Sequence, residues 1–359
     1  MVLAERWVRV GLEPVPRHRP KVPGHTLRCR YIPTMSIHAA AASLEWAYNL
    51  TAPFAFERVE DAVPVTPRSG ELLVCLTAGA VCGSDLPFAR GAMAPPLGHG
   101  TTGHPLHEVV GIVVQSEHPD FTTGDRVVGW ATDWCALREQ FVTRGDHVAK
   151  VRMDASDAHA TVAQSVACLL TVFGRLGSLE GKSVAIIGMG AFGLMTSVMA
   201  MERGASRIVG VDPVDRTDDI VGLPVDELAR TTSRVWAASI ADDDRPDIIF
   251  EMVGHQAATL ADAMNAIAIG GTVVAYGVPD DDWYALPLRA FFRHNATLVT
   301  GVTLHHREML ELAQDYLIAH PEFAEHIVTD VFPVAQVEAA FRAAASPRPG
   351  QRKIVLTTG

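Results

Sequence analysis

The chain has 359 residues, of which 48% are apolar, and carries 30 Lys plus Arg against 41 Asp plus Glu for a formal net charge of -11. That length exceeds what one core usually serves and predicts two domains. The acidic balance argues against nucleic acid or an anionic membrane surface as partner and leaves a small molecule. The five cysteines, Cys29, Cys75, Cys82, Cys135 and Cys168, form no CxxC pair and no even framework, so a disulfide-stapled secreted class is excluded and a cytoplasmic setting is expected.

In chain order, Arg17-His18-Arg19-Pro20-Lys21 follows a short apolar stretch rather than preceding one, which does not read as a secretion signal. Residues 1–34 are expected to be a leader, with Met35 a candidate start. From Phe54 to Val151 short strands alternate with Gly, Pro and Asp turns, the clearest being Glu71 to Leu76, Glu108 to Gln115, Arg126 to Trp130 and Glu139 to Val142. Cys82-Gly83-Ser84-Asp85 follows the first of these, and Gly103-His104-Pro105-Leu106-His107-Glu108 leads into the second. A thiolate and an imidazole together suit zinc, and a catalytic zinc needs three protein ligands and one open position. The same pair also fits a buried small hydrophobe and a core histidine, so spacing alone leaves both readings open.

Helical spacing appears over Asp157 to Leu176, which puts a boundary near residue 165. The apolar run Ser183 to Ile187 then leads into Gly188-Met189-Gly190-Ala191-Phe192-Gly193, and the next apolar run, Arg207 to Val211, ends at Asp212. Strand, glycine turn, apolar helix, strand and terminal acid within about 30 residues form a dinucleotide-binding signature. Gly188 permits the tight turn, Gly190 the approach of pyrophosphate, and Gly193 close packing of a helix whose positive N-terminus faces phosphate. Asp212 can accept hydrogen bonds from both ribose hydroxyls and would repel a 2'-phosphate, so NAD is expected over NADP. The uncharged stretch Ser183 to Met201 has nearly the length of a membrane span, but the glycine turn divides it into a strand and a helix and no membrane role is expected.

Further strands are expected at Ile248 to Glu251, Thr272 to Tyr276 and Thr297 to Thr300, helices at Glu308 to Ile318 and Val334 to Ala344, and a last strand at Lys353 to Thr357. The acidic patches at Asp218-Asp219, Asp242 to Asp244 and Asp280 to Asp282 read as solvated loops.

Several of these segments, in this order, resemble the zinc-containing alcohol dehydrogenase family of medium-chain dehydrogenases/reductases. They are Cys82-Gly83-Ser84-Asp85, His107-Glu108-Val109-Val110-Gly111, Gly124-Asp125-Arg126-Val127, the glycine fingerprint, Asp247 to Gly254, Gly270-Gly271-Thr272-Val273-Val274 and Lys353-Ile354-Val355-Leu356. The resemblance covers roughly residues 54 to 359. It implies an α/β chain: a mainly-β GroES-like catalytic domain (35–165 and 305–359) around a Rossmann-type doubly wound parallel sheet (166–304).

The resemblance further implies that NAD lies along Gly188, Gly190, Ala191, Phe192, Gly193, Asp212, Val253 and Gly277. One catalytic Zn2+ would be held by Cys82, His107 and a third position that falls at Gln164, a poor neutral ligand. Cys168, one helical turn on, and Glu108 are the alternatives. Ser84 would relay a hydroxyl proton or serve only as a turn serine, Asp85 would orient the ligand cluster, and Glu108 would be able to exchange onto the metal. A structural-zinc lobe is absent, since only Cys135 lies between Trp130 and Phe141, and Pro87 stands where many relatives carry a relay histidine. His104 is a rival ligand or relay, or a plain loop histidine, and Trp130 and Trp134 are candidate walls of the substrate site.

The implied reaction is zinc-assisted hydride transfer between a secondary alcohol or polyol and its ketone, in a homodimer or homotetramer paired through Thr297 to Val302. The alternatives are a zinc-free NAD(P)H-dependent enoyl or quinone reductase on the same scaffold and a catalytically inactive nucleotide-binding module.

Overall fold

A computed structural model describes residues 46–60, 66–94 and 101–359; the expectations for the leader 1–34 and for Met35 lie outside the described residues. The chain forms two lobes. The first is a seven-stranded sheet in the order β14-β15-β3-β4-β5-β7, with β6 paired to β3. Its strands are β3 (Glu71–Val81), β4 (Glu108–Ser116), β5 (Arg126–Trp130), β6 (Gln140–Arg144), β7 (Val148–Lys150), β14 (Val328–Pro333) and β15 (Lys353–Thr357). A separate hairpin, β1 (Ala47–Ala52) with β2 (Ala55–Val59), flanks it. β3 runs five residues beyond the expected Leu76, because its second half pairs with both β4 and β15 and is buried on both faces, which removes the alternation that marks a half-exposed strand.

The second lobe is a six-stranded parallel sheet in the order β10-β9-β8-β11-β12-β13. Its strands are β8 (Ser183–Ile187), β9 (Arg207–Val211), β10 (Glu227–Ala229), β11 (Ile248–Glu251), β12 (Thr272–Ala275) and β13 (Thr297–Thr300). Numbered from β8, this is the doubly wound order 3-2-1-4-5-6, which reverses between β8 and β11 and so opens a crevice at the carboxyl ends of those strands. The expected α/β class, a Rossmann-type sheet with a GroES-like β lobe, is the fold.

The apolar stretch from Ser183 becomes β8 and then the helix Ala191–Glu202, which is buried on most of its circumference between sheet and neighbours. No described helix is long and apolar enough to cross a membrane. The boundary expected near residue 165 lies inside the continuous helix Val162–Leu176. That helix is a shared keel, since one core joins Val166, Leu169 and Phe173 on it with Ala78, Val110 and Val128 of the β lobe and with Val184 and Ile186 of the parallel sheet. Leu310, Ala313 and Leu317 of the helix His306–Ala319 complete that core, and Gln314 on the same helix accepts from Arg152 N and donates to Lys150 O.

Candidate active site

The ligand turn is built by a single carboxylate. Cys82 precedes the short turn Gly83–Asp85, where Asp85 Oδ2 accepts from Cys82 N at 2.9 Å while its Oδ1 accepts from His107 Nδ1 at 2.7 Å. Asp85 is fully buried, so both of its oxygens act in a medium that strengthens charge-assisted bonds. The bond to Nδ1 fixes the imidazole and leaves Nε2 as the ligating atom. Burial alone would depress His107, but the Asp85 charge and hydrogen bond and the Cys82 thiol together raise its pKa well above the ordinary value. Trp134 stacks on the same ring at 4.2 Å with 26° between planes, and Phe88 meets Trp134 edge-on.

Cys82, His107 and Glu108 bring one donor atom each within 4.8 Å of one another, the one such group of three or more His, Cys, Asp or Glu among the described residues. A thiolate, an imidazole and a carboxylate are a donor set that suits zinc and leaves a fourth position for substrate. Glu108 is fully buried and faces Lys353 Nζ at 2.5 Å across the β4 and β15 strands. Lys353 is pulled down by burial and pushed up more strongly by Glu108 and Cys82, so it remains an ammonium.

The other candidates lie as follows. Gln164 is buried on the helix Val162–Leu176, and its Oε1 has no hydrogen-bond partner. Cys168, one turn on, is not in the donor group. Burial pushes its thiol up to about 12, and Thr303 and Tyr276 hydrogen-bond to it. His104 is buried edge-on against Phe88, neither ring nitrogen has a hydrogen-bond partner, and burial lowers its pKa to about 4 against the pull of Asp85. Ser84 is buried one residue past Gly83 in the ligand turn.

On the opposite wall, Gly188 has φ of 95°, open to glycine at no steric cost, and a Cβ on Gly193 would fall 2.0 Å from Gly188 O. A Cβ on Gly190 would meet nothing within 4 Å, so the turn presents bare backbone to the cleft. Asp212 accepts from Met189 N and Val214 N, both at 2.8 Å, which ties the end of β9 to the glycine turn. Glu251 does the same for the next loop, its Oε1 accepting from Val253 N, Gly254 N and Thr259 Oγ1. Gly277 packs so closely that its Cβ would lie 2.1 Å from Gly254 N. Phe192 packs toward Tyr276, with the Lys353 ammonium 5.7 Å from its ring centre. A cleft of about 600 Å³ runs between the walls, with Cys82, Gly188, Asp212 and Lys353 all on its lining.

One expectation is corrected here. Asp219 is not in a solvated patch: it is buried and pairs with Arg216 at 3.1 Å and Arg352 at 3.0 Å, joining the parallel-sheet lobe to the C-terminal segment. Sequence reasoning also assigned no role to Lys353, Glu251 or Arg216. Lys353 did leave a signal, a single charge opening the apolar run Ile354-Val355-Leu356.

Residues 160–347 match the glucose dehydrogenase C-terminus family and residues 68–202 the alcohol dehydrogenase GroES-like domain. A probable zinc-binding alcohol dehydrogenase of Mycobacterium tuberculosis is 26% identical over 275 residues, 66% of this chain and 68% of that protein. Among solved structures, the alcohol dehydrogenase from Thermus sp. ATN1 superposes with a TM-score of 0.72 at 23% identity, covering 88% of this chain and 100% of that one. Haloferax mediterranei glucose dehydrogenase in complex with NADP, Zn and gluconolactone superposes with a TM-score of 0.70 at 21% identity, over 88% of this chain and 99% of that one. These two likenesses show the fold, and the family matches carry the conclusion that the chain belongs to the zinc-containing alcohol dehydrogenase family of medium-chain dehydrogenases/reductases.

Proposed function

We propose that this chain is a zinc-dependent, NAD-linked oxidoreductase that interconverts a secondary alcohol or polyol and its ketone. The observation that carries the reading is that one cleft is lined on one side by Cys82, beside His107 and Glu108, and on the other by the Gly188 turn and Asp212. When bound, zinc supplies a Lewis acid for the alcohol or carbonyl oxygen and the nicotinamide accepts or donates the hydride. Cys82, His107 and Glu108 would hold the metal, with Asp85 fixing the His107 ring and Lys353 balancing the Glu108 charge. Ser84 offers its hydroxyl next to the ligand turn to carry the substrate proton. Gly188, Gly190, Ala191 and Gly193 would receive the pyrophosphate, and Val253 and Gly277 would help to hold the rest of the nucleotide.

Asp212 supports NAD, since its carboxylate stands on the cleft where a ribose would lie. Arg216 lies beside it, its Nε 3.7 Å from Asp212 Oδ2 while its Nη1 donates to Asp219, Arg348 O and Gln351 O. Arg234 also lines the cleft, so NADP belongs in the same assay. The neighbour that holds gluconolactone supports a polyol or sugar-like substrate. We place the enzyme in the cytoplasm as a homodimer or homotetramer. β13 forms one edge of the parallel sheet, with Leu298 exposed on it and Val302 and Leu304 exposed just beyond its end, which suits pairing with a second copy.

Metal analysis combined with a screen of polyols, sugars and secondary alcohols against NAD and NADP tests the proposal. It expects about one zinc per chain, lost in Cys82→Ser, and NAD-linked oxidation of at least one polyol or secondary alcohol. Metal-free protein fully active on an enone would refute it.

A further inference from the structure

The loop that follows β11 crosses to the metal side at one residue. His255 lies two residues beyond Val253 and has φ of 56°, in the left-handed region that few non-glycine residues adopt and that histidine adopts more often than most, and its surroundings fix it there. They do so from both sides. His255 N donates to Val278 O at 2.8 Å, and the preceding Gly254 is pressed against the same segment, its Cβ position falling 2.6 Å from Val278 N. Glu251 pins the start of the loop through Val253 N and Gly254 N. The backbone is thus held from both sides, and the residue is aimed rather than free.

It is aimed at the ligand turn. His255 Nε2 lies 3.9 Å from the Cβ position of Gly83, and the Gly83 backbone offsets part of the lowering that burial imposes on its pKa. Its other nitrogen, Nδ1, is buried without a hydrogen-bond partner. Among the described residues the imidazole is the one group that approaches the Cβ position of Gly83 within 4 Å, so the ligand turn meets the loop at this point. The contact joins a loop that carries Val253 on the cofactor side to a turn that carries Cys82 on the metal side, and both residues line the one cleft.

We propose that His255 is a positioning residue that ties the cofactor loop to the metal-ligand turn through Gly83, so that cofactor entering the cleft changes the geometry around Cys82 and His107. The proposal rests on the reading of Cys82, His107 and Glu108 as a metal site. Through this contact the cofactor alters what surrounds the metal, and the coupling is read in the metal's coordination rather than as a large change in either affinity.

The test needs no substrate. Full-length protein is loaded with Co(II), whose visible spectrum reports the thiolate and imidazole around it, and titrated with NADH. Wild type is expected to show a spectral shift that saturates with NADH binding. His255→Ala is expected to take up cobalt and bind NADH but to lose at least about half of that shift, while His255→Asn, which tolerates positive φ and keeps a side-chain donor, retains more of it. A purely structural role would lower thermal stability in both variants and leave the shift intact in the folded, cofactor-bound protein. An undiminished shift in His255→Ala, or no shift in wild type, overturns the coupling alone. Protein that binds NADH and takes up no cobalt overturns the metal reading and the coupling with it.

Discussion

The two walls of the cleft recognise by opposite means. On the parallel-sheet side binding is built from backbone and from space, as the glycine turn shows nothing but main chain where pyrophosphate would lie and Gly193 is bare because Gly188 O occupies its place. On the β-lobe side it is built from side chains that different elements bring together: Cys82 from the end of β3, His107 and Glu108 at the start of β4, Lys353 from β15. The first wall should be most sensitive to an added atom, and the second to a removed one.

Substitutions that break this contrast are ordered here by expected effect. Cys82→Ser or His107→Ala should abolish zinc binding and lower kcat/KM by about 10³-fold or more, since the lost Lewis acid is worth several kcal/mol; NADH affinity, measured by fluorescence, should change little. Lys353→Met leaves the Glu108 carboxylate buried without its cation and should destabilise the fold by about 3–5 kcal/mol in a denaturant titration of metal-free protein. Full stability in that variant would contradict a role for the pair in holding the two strands. Gly193→Ala and Asp85→Asn sharpen the comparison when measured together. The first should weaken NADH binding about 10–100-fold with zinc content unchanged, because the added methyl forces the turn apart. The second should weaken zinc binding about 10–100-fold with NADH affinity unchanged, because His107 loses its orienting acceptor. The smallest effect belongs to Asp212→Ala, expected to relax the preference for NAD over NADP by roughly tenfold in kcat/KM, the worth of about one charge-assisted hydrogen bond.

How far the sequence could be read follows the same division. The glycine fingerprint and Asp212 are legible because strand, turn and helix that form the cofactor wall are contiguous, so the parallel class of the sheet and the identity of its turn follow from local pattern, whereas the three-residue β10 is too short to show a period. The metal wall is assembled over distance. Cys82 and His107 were visible as residue types, but the Asp85 bridge between them spans 22 residues, and the third donor was sought at Gln164 by counting along the chain. Glu108, the alternative next to His107, joins Cys82 and His107 in one donor group, while Gln164 is buried with Oε1 unpartnered. Asp219 was hidden for a related reason. Beside Asp218 it reads as a loop acid, and only packing against the C-terminal segment supplies Arg352 and makes burial tolerable. β3 was cut short because a strand covered on both faces loses the alternation by which strands are recognised.

The account stands on the claim that zinc and nicotinamide face each other across one cleft. The most direct test is a crystal of the protein grown with zinc and NADH, with data collected on both sides of the zinc absorption edge. The account predicts one anomalous peak per chain at about 2.3 Å from Cys82 Sγ, within reach of His107 Nε2 and facing a nicotinamide carried by the Gly188 turn. An NADH-bound crystal with no anomalous peak at Cys82, or with zinc held elsewhere, would contradict it.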